Sequence, residues 1–279
     1  MRSGINREIG FVINQLENPF NAEVVSGVVD FLETDDYIVS IFDTRDELER
    51  QHRHIESVIR HRRGALLWVP ALGTTNETFE LLEANRLPTV TFLRDACRDT
   101  DHVGIRNADA TLTGTRYLAD LGHRHIAYLG GTDMTVVRSE RVRGYREALS
   151  ERGLGSGVVW TSADDKLAGI DSMLELHRAY PEISAIVCNG DMVALGACIA
   201  ISRLGLQPGR DISVIGFDNI RDAEAGMPPL TTMAVYPKKL GHILGSTVLE
   251  RIRNPASPVQ TIEVNAELVI RETTGPAPG

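Results

Sequence analysis

The stretch DISVIGFDNIRDAEAGMPPLTTMAVY, residues 211–236, contains the signals that decide the fold. Residues 212–217 form a short apolar run rich in β-branched side chains, which is typical of a parallel strand covered on both faces. The run ends at Asp218, and ligands bind outside the carboxyl ends of strands in open α/β sheets. Asp218 is therefore either a ligand group or the cap of the following turn. The Pro-Pro pair at 228–229 excludes a helix, and residues 230–235 resume an extended chain.

Composition and charge exclude several classes of protein. The 279 residues are 42% hydrophobic and 24% charged, which is ordinary for a folded protein with a substantial core. No apolar run approaches the length of a membrane span, and no apolar segment near the N-terminus precedes a cleavage site, so no secretory signal is expected. The net charge of −9 argues against a chain that by itself binds nucleic acid.

Cysteine and histidine spacing predicts no metal or cofactor. Cys97, Cys188 and Cys198 are scattered without CxxC spacing, which favours buried, inert thiols and a reducing cytoplasm. The basic run at residues 50–63 contains three histidines, but they lack the i, i+4 pairing and the nearby thiols or carboxylates of a metal site. We interpret this run as the solvated face of a helix.

Strand and helix signals alternate along the whole chain, which predicts parallel sheets with helices on both faces. Two successive α/β halves indicate two lobes. In the first half, strands are predicted at residues 8–14, 37–42, 64–69 and 87–92, with helices at 22–33, 48–62 and 75–83. In the second half, strands are predicted at 102–105, 125–130, 158–160, 185–188 and 212–217, with helices at 108–121, 140–152, 168–179 and 192–204.

The end of the chain predicts how the two lobes are joined. Residues 239–253 form an amphipathic helix pattern, and residues 260–271 alternate like a strand. If that helix belongs to the first lobe, the chain crosses three times, which makes a hinge beside a ligand cleft. We therefore expect an α/β fold of two doubly wound parallel-sheet lobes. Their expected ranges are residues 8–105 plus 236–264 and residues 106–235 plus 265–279.

Six segments, in this order and spacing, resemble the effector-binding core of the lactose-repressor/galactose-repressor (LacI/GalR) family of bacterial transcription regulators. They are NPF at 18–20, LGHRHIA at 121–127, RVRGY at 141–145, GDMVALG at 190–196, DISVIGFD at 211–218 and PLTT at 229–232. The resemblance covers residues 9–274 and implies a periplasmic-binding-protein-like type I fold that senses a small-molecule effector, a sugar or related metabolite. The family's helix-turn-helix headpiece is not expected in this chain, so contact with operator DNA would need a part absent from it.

The resemblance implies three principal ligand contacts. Arg141 matches the family's effector-contacting arginine, whose donors suit a planar array of hydroxyls or a carboxylate. The alternative is an exposed arginine at a helix start. Asp218 matches the family's carboxylate at a strand end, with the turn cap as its alternative. Phe20 matches an aromatic position where a ring can stack on an apolar sugar or base face, with a place in the core as its alternative.

Further ligand contacts follow from the same resemblance. Arg94 and Asn107 match positions that line the cleft, each against a surface role. Asp191 matches the second residue of the family's Asn-Asp pair, but Gly190 occupies the Asn place and Asn189 stands one position earlier. Capping of the following helix is the favoured role for Asp191.

Two departures from the family pattern bear on the effector. Leu93 stands where many relatives have Asp, and Val235 stands where several have Gln. Both changes remove polar contacts. The effector is therefore expected to be less rich in hydroxyl groups than a common hexose.

Three functions compete on the sequence alone. An effector-sensing regulator core is expected to form a homodimer, which the resemblance places at helix 22–33, helix 192–204 and loop 223–229. A solute-binding protein of a sugar transporter shares the two-lobe architecture, but the missing signal peptide and the PLTT segment disfavour it. An enzyme is disfavoured because the chain has no phosphate-binding loop, dinucleotide fingerprint, GxSxG elbow or HExxH motif.

Overall fold

The computed structural model describes residues 6–94, 99–132 and 135–278. It divides into two compact units, Met1–Ile105 with Pro237–Val264 and Arg106–Tyr236 with Asn265–Gly279. Tyr236 was expected in the first lobe, but the structure groups it with the second unit. Its hydroxyl donates a hydrogen bond of 2.9 Å to Glu267, which belongs to that second unit.

Strands and helices alternate through both units of the described chain. The strands are β1 (Glu8–Ile13), β2 (Ile38–Asp43), β3 (Ala65–Trp68), β4 (Thr89–Phe92), β5 (Asp101–Ile105), β6 (Ile126–Leu129), β7 (Val158–Trp160), β8 (Ala185–Cys188), β9 (Ser213–Asp218), β10 (Thr231–Ala234), β11 (Thr261–Val264) and β12 (Glu267–Val269). The helices are α1 (Pro19–Glu33), α2 (Leu48–Arg60), α3 (Asn76–Ala84), α4 (Asn107–Asp120), α5 (Val136–Glu151), α6 (Lys166–Ala179), α7 (Asp191–Arg203), α8 (Arg221–Ala225) and α9 (Pro237–Arg253).

Each unit is built on one six-stranded sheet. The first has the order β11-β5-β4-β3-β1-β2 and is parallel throughout. The second has the order β12-β10-β9-β8-β6-β7 and is parallel except for β12, which runs antiparallel to β10. The inner strands β3, β4, β6, β8 and β10 are buried along their whole length, as continuous apolar runs in covered parallel sheets require.

Helices pair through glycines that bring their backbones into contact. A Cβ placed on Gly27 of α1 would lie 2.2 Å from the carbonyl oxygen of Lys238 in α9, and one on Gly144 of α5 would lie 2.0 Å from that of Ala108 in α4. In the second unit, Gly196 of α7 meets the carbonyl oxygen of residue 166 at 2.3 Å in the same way. Only glycine leaves room for such an approach.

Three predicted boundaries were wrong for identifiable reasons. Helix α1 begins at Pro19 and not at residue 22, because the Asn18 side chain caps it and proline is favoured in the first turn. Helix α5 begins at Val136 and not at residue 140, because Thr135 caps it through the amide of Arg138. The alternating run at 260–271 is two strands, β11 and β12, that belong to different sheets.

The thiols fit their predicted inert role where the structure describes them. Cys188 and Cys198 are buried, and burial raises the pKa of both thiols, that of Cys198 to about 12. Cys97 lies outside the described residues. Among the described residues, no helix combines the length and apolar character needed to cross a membrane, and no three His, Cys, Asp or Glu side chains gather as a metal site would require.

His123 joins the C-terminal segment to the second sheet. Its side chain is buried, with Nδ1 2.9 Å from the Ser184 hydroxyl and Nε2 3.1 Å from the Gly275 carbonyl oxygen. Burial lowers the pKa of His123 below 6.5, although the bond to Gly275 opposes the change. The folded protein therefore keeps this imidazole neutral at a pH where the unfolded chain protonates it.

We expect this histidine to make stability depend on pH. Because its folded pKa is depressed, its contribution is fully present above about pH 6.5 and is lost as the pH falls through the folded pKa. Urea denaturation between pH 7.5 and 5 should give a free energy of unfolding that declines in this window, and His123→Asn should decline less steeply. The exposed neighbour His125→Asn serves as the control, and a wild-type slope in His123→Asn would contradict the assignment.

Candidate functional site

Arg141 lies at the centre of a polar cluster in the second unit. Its side chain is 5% exposed, and its guanidinium lies over the ring of Phe217, 3.5 Å from the centroid. Nε donates to the Asn107 side chain at 2.9 Å, and Nη1 donates to the backbone carbonyl of Asn189. Within the described chain, Nη2 has no hydrogen-bond partner. Two oriented N–H donors are therefore left over for a ligand.

The location of Arg141 corrects one part of the sequence interpretation. Because α5 begins at Val136, Arg141 lies in the second turn of the helix and is not an exposed residue at its start. Asn107, the first residue of α4, is 2% exposed and also donates to Glu140 at 3.1 Å. Asn107 thus orients Arg141 from the neighbouring helix. Asn107 was predicted to contact the ligand, but the structure shows it holding Arg141, the residue predicted to make that contact.

Asn189 connects Arg141 to a carboxylate that sequence reasoning missed. Its amide nitrogen donates to both carboxylate oxygens of Asp164 at 2.9 Å, and its amide oxygen accepts from the Tyr128 hydroxyl at 2.6 Å. Asp164 keeps part of its surface exposed, but its carboxyl group lies among protein atoms. Burial raises the pKa of Asp164, opposed by the Asn189 hydrogen bond and the charge of Arg141.

A signal for Asp164 was present in the sequence. It stands beside Asp165 in the loop ahead of α6, and one carboxylate is enough to cap a helix. Asp165 performs that role, since its side chain accepts from the amide of Ala168 at 2.8 Å. The second aspartate therefore needed another explanation. A desolvated carboxylate beside a buried arginine is a feature of functional sites.

Asp218 ends strand β9 with an unusual backbone. Asp218 has φ 111° and Asn219 has φ 61°, and consecutive non-glycine residues in this region indicate local strain. Asp218 is half-buried, and its Oδ2 lies 3.5 Å from where a Cβ on Gly190 would be. Helix α8, which follows this turn, has no side-chain cap. Asp218 therefore does not cap that helix.

Asp191 has a different role from either of the predicted ones. It is the first residue of α7 and is fully buried. One oxygen accepts from the Thr232 hydroxyl at 2.6 Å, and the other accepts from the amide of Ile220 at 2.9 Å. Burial raises the pKa of Asp191 to about 7 against these hydrogen bonds. The carboxylate thus holds the turn after β9 in place and has no surface for a ligand.

Two predicted contacts lie in the first unit. Phe20 is 6% exposed and stacks on Phe92 with ring centroids 6.3 Å apart, which favours its core alternative. Arg94 forms a two-pronged ion pair with Asp46, at 2.6 and 2.9 Å, and also donates to the carbonyl of Pro70. Through these bonds Arg94 connects the loop that contains Asp46 to the loop that contains Pro70. A ligand role for either residue stays a prediction.

The two residues that depart from the family pattern, Leu93 and Val235, differ in how much of their surface is exposed. Val235 is 2% exposed and therefore offers almost no surface to a ligand. Leu93 is half-buried, with φ 60°, and follows strand β4 directly. Of the two apolar replacements, only Leu93 has surface with which to affect what binds.

Comparisons with known proteins identify similar chains. Residues 115–274 match the family described as periplasmic binding protein-like domain. The HTH-type transcriptional repressor PurR of Glaesserella parasuis serovar 5 (strain SH0165) is 30% identical over 285 residues, covering 98% of this chain and 83% of that protein. The protein of the same name from Aliivibrio fischeri (strain MJ11) is 30% identical over 282 residues, covering 98% and 82%.

Solved structures share the fold. A LacI family transcriptional regulator from Enterococcus faecium with bound ribose superposes with a TM-score of 0.90 at 21% identity, covering 97% of this chain and 100% of that chain. Transcription regulator CcpA of Lactococcus lactis superposes with a TM-score of 0.86 at 20% identity, covering 96% and 99%. At these identities the likeness concerns the fold alone.

Proposed function

The chain belongs to the LacI/GalR family of transcriptional regulators, of which it contains the effector-binding core, and on this premise we propose that Arg141, Asp164 and Asp218 bind the effector. The predicted family, the periplasmic-binding-protein-like type I fold and the role as an effector-binding core are confirmed. The solute-binding alternative has less support, because the curated relatives are named as repressors. Those relatives are regulators and not enzymes.

The unpaired end of the Arg141 guanidinium carries this proposal. A buried arginine costs free energy unless its charge and donors are used. Here the protein fixes the guanidinium with Asn107, Asn189 and Phe217 and still leaves Nη2 without a partner in the described chain. Preorganised donors of this kind bind a ligand without the entropy cost of ordering a side chain.

The surrounding groups favour a ligand that both accepts and donates hydrogen bonds. The arginine donates, whereas the carboxylates of Asp164 and Asp218 accept. Adjacent hydroxyl groups satisfy both requirements, so we propose a sugar or a sugar-containing metabolite. In support, two structural neighbours from Enterococcus species contain bound ribose, and CelR was solved as a cellobiose complex. The expected binding place, a cleft between the lobes, stays a prediction.

A thermal-shift screen tests this function. Ligands that bind only the native state raise its stability by mass action, so a true effector raises the melting temperature in a concentration-dependent way. The panel contains ribose, cellobiose, other pentoses and hexoses, nucleosides and organic acids. We expect at least one compound with hydroxyl groups to raise the melting temperature. A panel without any saturable shift would contradict the proposal.

Asp164 gives a prediction that separates a functional carboxylate from a structural one. Its raised folded pKa means that ionised Asp164 destabilises the fold, so its cost is absent below the unfolded pKa and appears as the pH rises through the folded pKa. Asp164→Asn should therefore unfold at an equal or higher urea concentration at pH 7.5. Its affinity for the effector should nevertheless fall roughly tenfold, as expected for the loss of a charge-assisted hydrogen bond.

The adjacent residue supplies the control for this measurement. Asp165→Asn keeps a good helix cap, because asparagine and aspartate cap equally well, and it should leave affinity unchanged. Because burial raises the pKa of Asp164, titrations of the wild type at successively lower pH should show affinity decreasing as Asp164 takes up a proton. If Asp164→Asn destabilised the protein and left the effector affinity intact, the carboxylate would be structural.

We also propose that the core forms the homodimer typical of its family. A groove of about 630 Å³ lies between α7 and the segment after α8 in the second unit. Met227 at its rim is 99% exposed and Ile199 is 37% exposed, whereas Ile201 on the same helix is buried. Exposed apolar side chains beside a groove are expected of an interface. Sedimentation that gave the monomer mass at micromolar concentration would contradict this part of the proposal.

The proposed mechanism is a shift between two conformations. An effector changes the balance only to the extent that it binds one conformation more tightly than the other. Operator DNA would be bound by a helix-turn-helix headpiece like that indicated in the names of the relatives. A protein that regulates transcription in this way would act in the cytoplasm. The core would transmit occupancy of the Arg141 site to that headpiece.

A further inference from the structure

A second cavity in the second unit has a strongly basic lining. Its volume is about 740 Å³, and it lies between helix α5 and β7, the edge strand of the second sheet. Arg138, Arg143 and Arg146 line it, together with the hydroxyl-bearing side chains of Ser139 and Thr161. None of the described residues lining the cavity is acidic. Neither Arg141 nor Asp218 lines it, so the cavity is separate from the proposed effector site.

Helical spacing brings the three guanidinium groups to one face. Residues 138 and 146 are eight positions apart, about two turns of helix, and residue 143 lies one turn before residue 146. Arg138 is held most firmly, since it is 7% exposed and its Nε donates to the carbonyl of Gly130 at 2.9 Å. Arg143 and Arg146 are exposed. One buried and two exposed guanidinium groups therefore line the same cavity.

Neither exposed arginine has an ion-pair partner in the described chain, although acids are close on the same helix. Glu140 accepts a hydrogen bond from Asn107, and Glu151 forms a two-pronged pair with Arg116 of α4. The nearby Arg152 is itself paired with Asp120. The third acid of α5, Glu147, acts on the charge of Arg116 in α4, so the acidic side chains of α5 lie towards α4. Arg143 and Arg146 therefore keep their positive charge without an ion pair in the described chain, although the net charge of the whole chain is −9.

We propose that this cavity binds a small molecule that carries a diphosphate or two phosphate groups. Guanidinium groups form paired hydrogen bonds with phosphate oxygens, and the two exposed ones of Arg143 and Arg146 match the charge of such a ligand better than that of a single carboxylate. Arg138 and Ser139 belong to the first turn of α5, so the positive end of the helix dipole also lies beside the cavity. The volume is within the range of ligand sites. Arg141, Asp164 and Asp218 do not line this cavity, but the two sites are neighbours, because the charge of Arg138 acts on the Asp164 carboxyl group.

Isothermal titration with inorganic pyrophosphate at 0.15 M NaCl tests the proposal. We expect one saturable site per chain and at least about tenfold weaker binding in the double variant Arg143→Gln/Arg146→Gln. Both side chains are exposed, so the variant should fold normally, which urea denaturation checks. The matched control Arg178→Gln/Arg210→Gln removes two exposed charges elsewhere in the second unit and should change the affinity by less than about twofold.

Three outcomes would overturn the proposal. They are absence of saturable pyrophosphate binding, equal weakening in the two double variants, and sulfate binding as tight as that of pyrophosphate. The first would leave a solvated basic face, the second a general charge effect and the third an unselective anion patch. Ribose 5-phosphate and adenosine diphosphate then compare one phosphate group with two. Tighter binding of the diphosphate supports the proposal, and tighter binding of the monophosphate contradicts it.

Discussion

Replacement of Arg141 by alanine is expected to abolish the effector-induced thermal shift. The substitution removes the two Nη2 donors that have no protein partner, and it leaves the Asn107 side chain and the Asn189 carbonyl without their donor. Hydrogen bonds to charged groups contribute about 1.5–3 kcal/mol each, so the loss of two amounts to at least a hundredfold in affinity. Titration with the compound that shifts the wild type, ribose first, measures the change.

Arg141→Lys makes this prediction sharper. Lysine keeps the positive charge but has neither the planar fork nor the flat face that covers Phe217. We expect affinity to fall at least about tenfold while the fold is retained. Arg152→Ala, near the end of the same helix, loses only an exposed ion pair and is the control. Wild-type affinity in both Arg141 variants would show that Arg141 is not part of the effector site.

Gly144→Ala is expected to destabilise the second unit by about 3 kcal/mol, at the upper end of the cost of overpacking. The added methyl group would lie 2.0 Å from the carbonyl oxygen of Ala108 and 2.8 Å from its carbon, and backbone atoms cannot turn aside. Helices α4 and α5 must therefore separate. Asn107 and Arg141 lie on these two helices beside the contact, so the same substitution should also weaken effector binding. Urea denaturation and ligand titration measure the two effects.

A glycine in the partner helix provides the comparison. A Cβ on Gly114 of α4 would meet side chains and no backbone: the sulfur of the flexible Met233 at 3.3 Å and the Cγ2 of Ile215 at 3.7 Å, an ordinary contact distance. Alanine also favours a helix over glycine by about 1 kcal/mol. Gly114→Ala should thus change the free energy of unfolding by less than about 1 kcal/mol. Equal stability of Gly144→Ala and Gly114→Ala would show that α4 and α5 can separate at little cost in free energy, which would contradict the prediction.

The fold was largely predictable because its signals are local. Apolar runs and helical periodicity located the strands and most helices without knowledge of their neighbours. The start of α1 was missed because Pro19 was interpreted as a break, although a proline in the first turn promotes a helix. Residues 260–271 could not be divided in advance, since two short strands in different sheets have the same alternation as one long strand.

The candidate site was less predictable because it depends on tertiary contacts. Arg141 and Asp218 were found through the family pattern, but the sequence does not reveal that Asn189 holds both Arg141 and Asp164. Asp191 was expected to cap its own helix, whereas its carboxylate reaches a turn 28 positions away from it in the chain, at Asn219. Such partners become visible only when the strand ends are brought together.

The glycine contacts between helices also determine which motions are open to the protein. In an ordinary helix interface a layer of side chains separates the two backbones, and rotamer changes within that layer let the helices shift by small steps. Where backbones touch, as at Gly144 and Gly27, no layer of side chains is present to adjust. Each helix pair must then move as one body or stay still. Collective displacements of this kind take microseconds to milliseconds, so the response to an effector is expected to be slow and concerted.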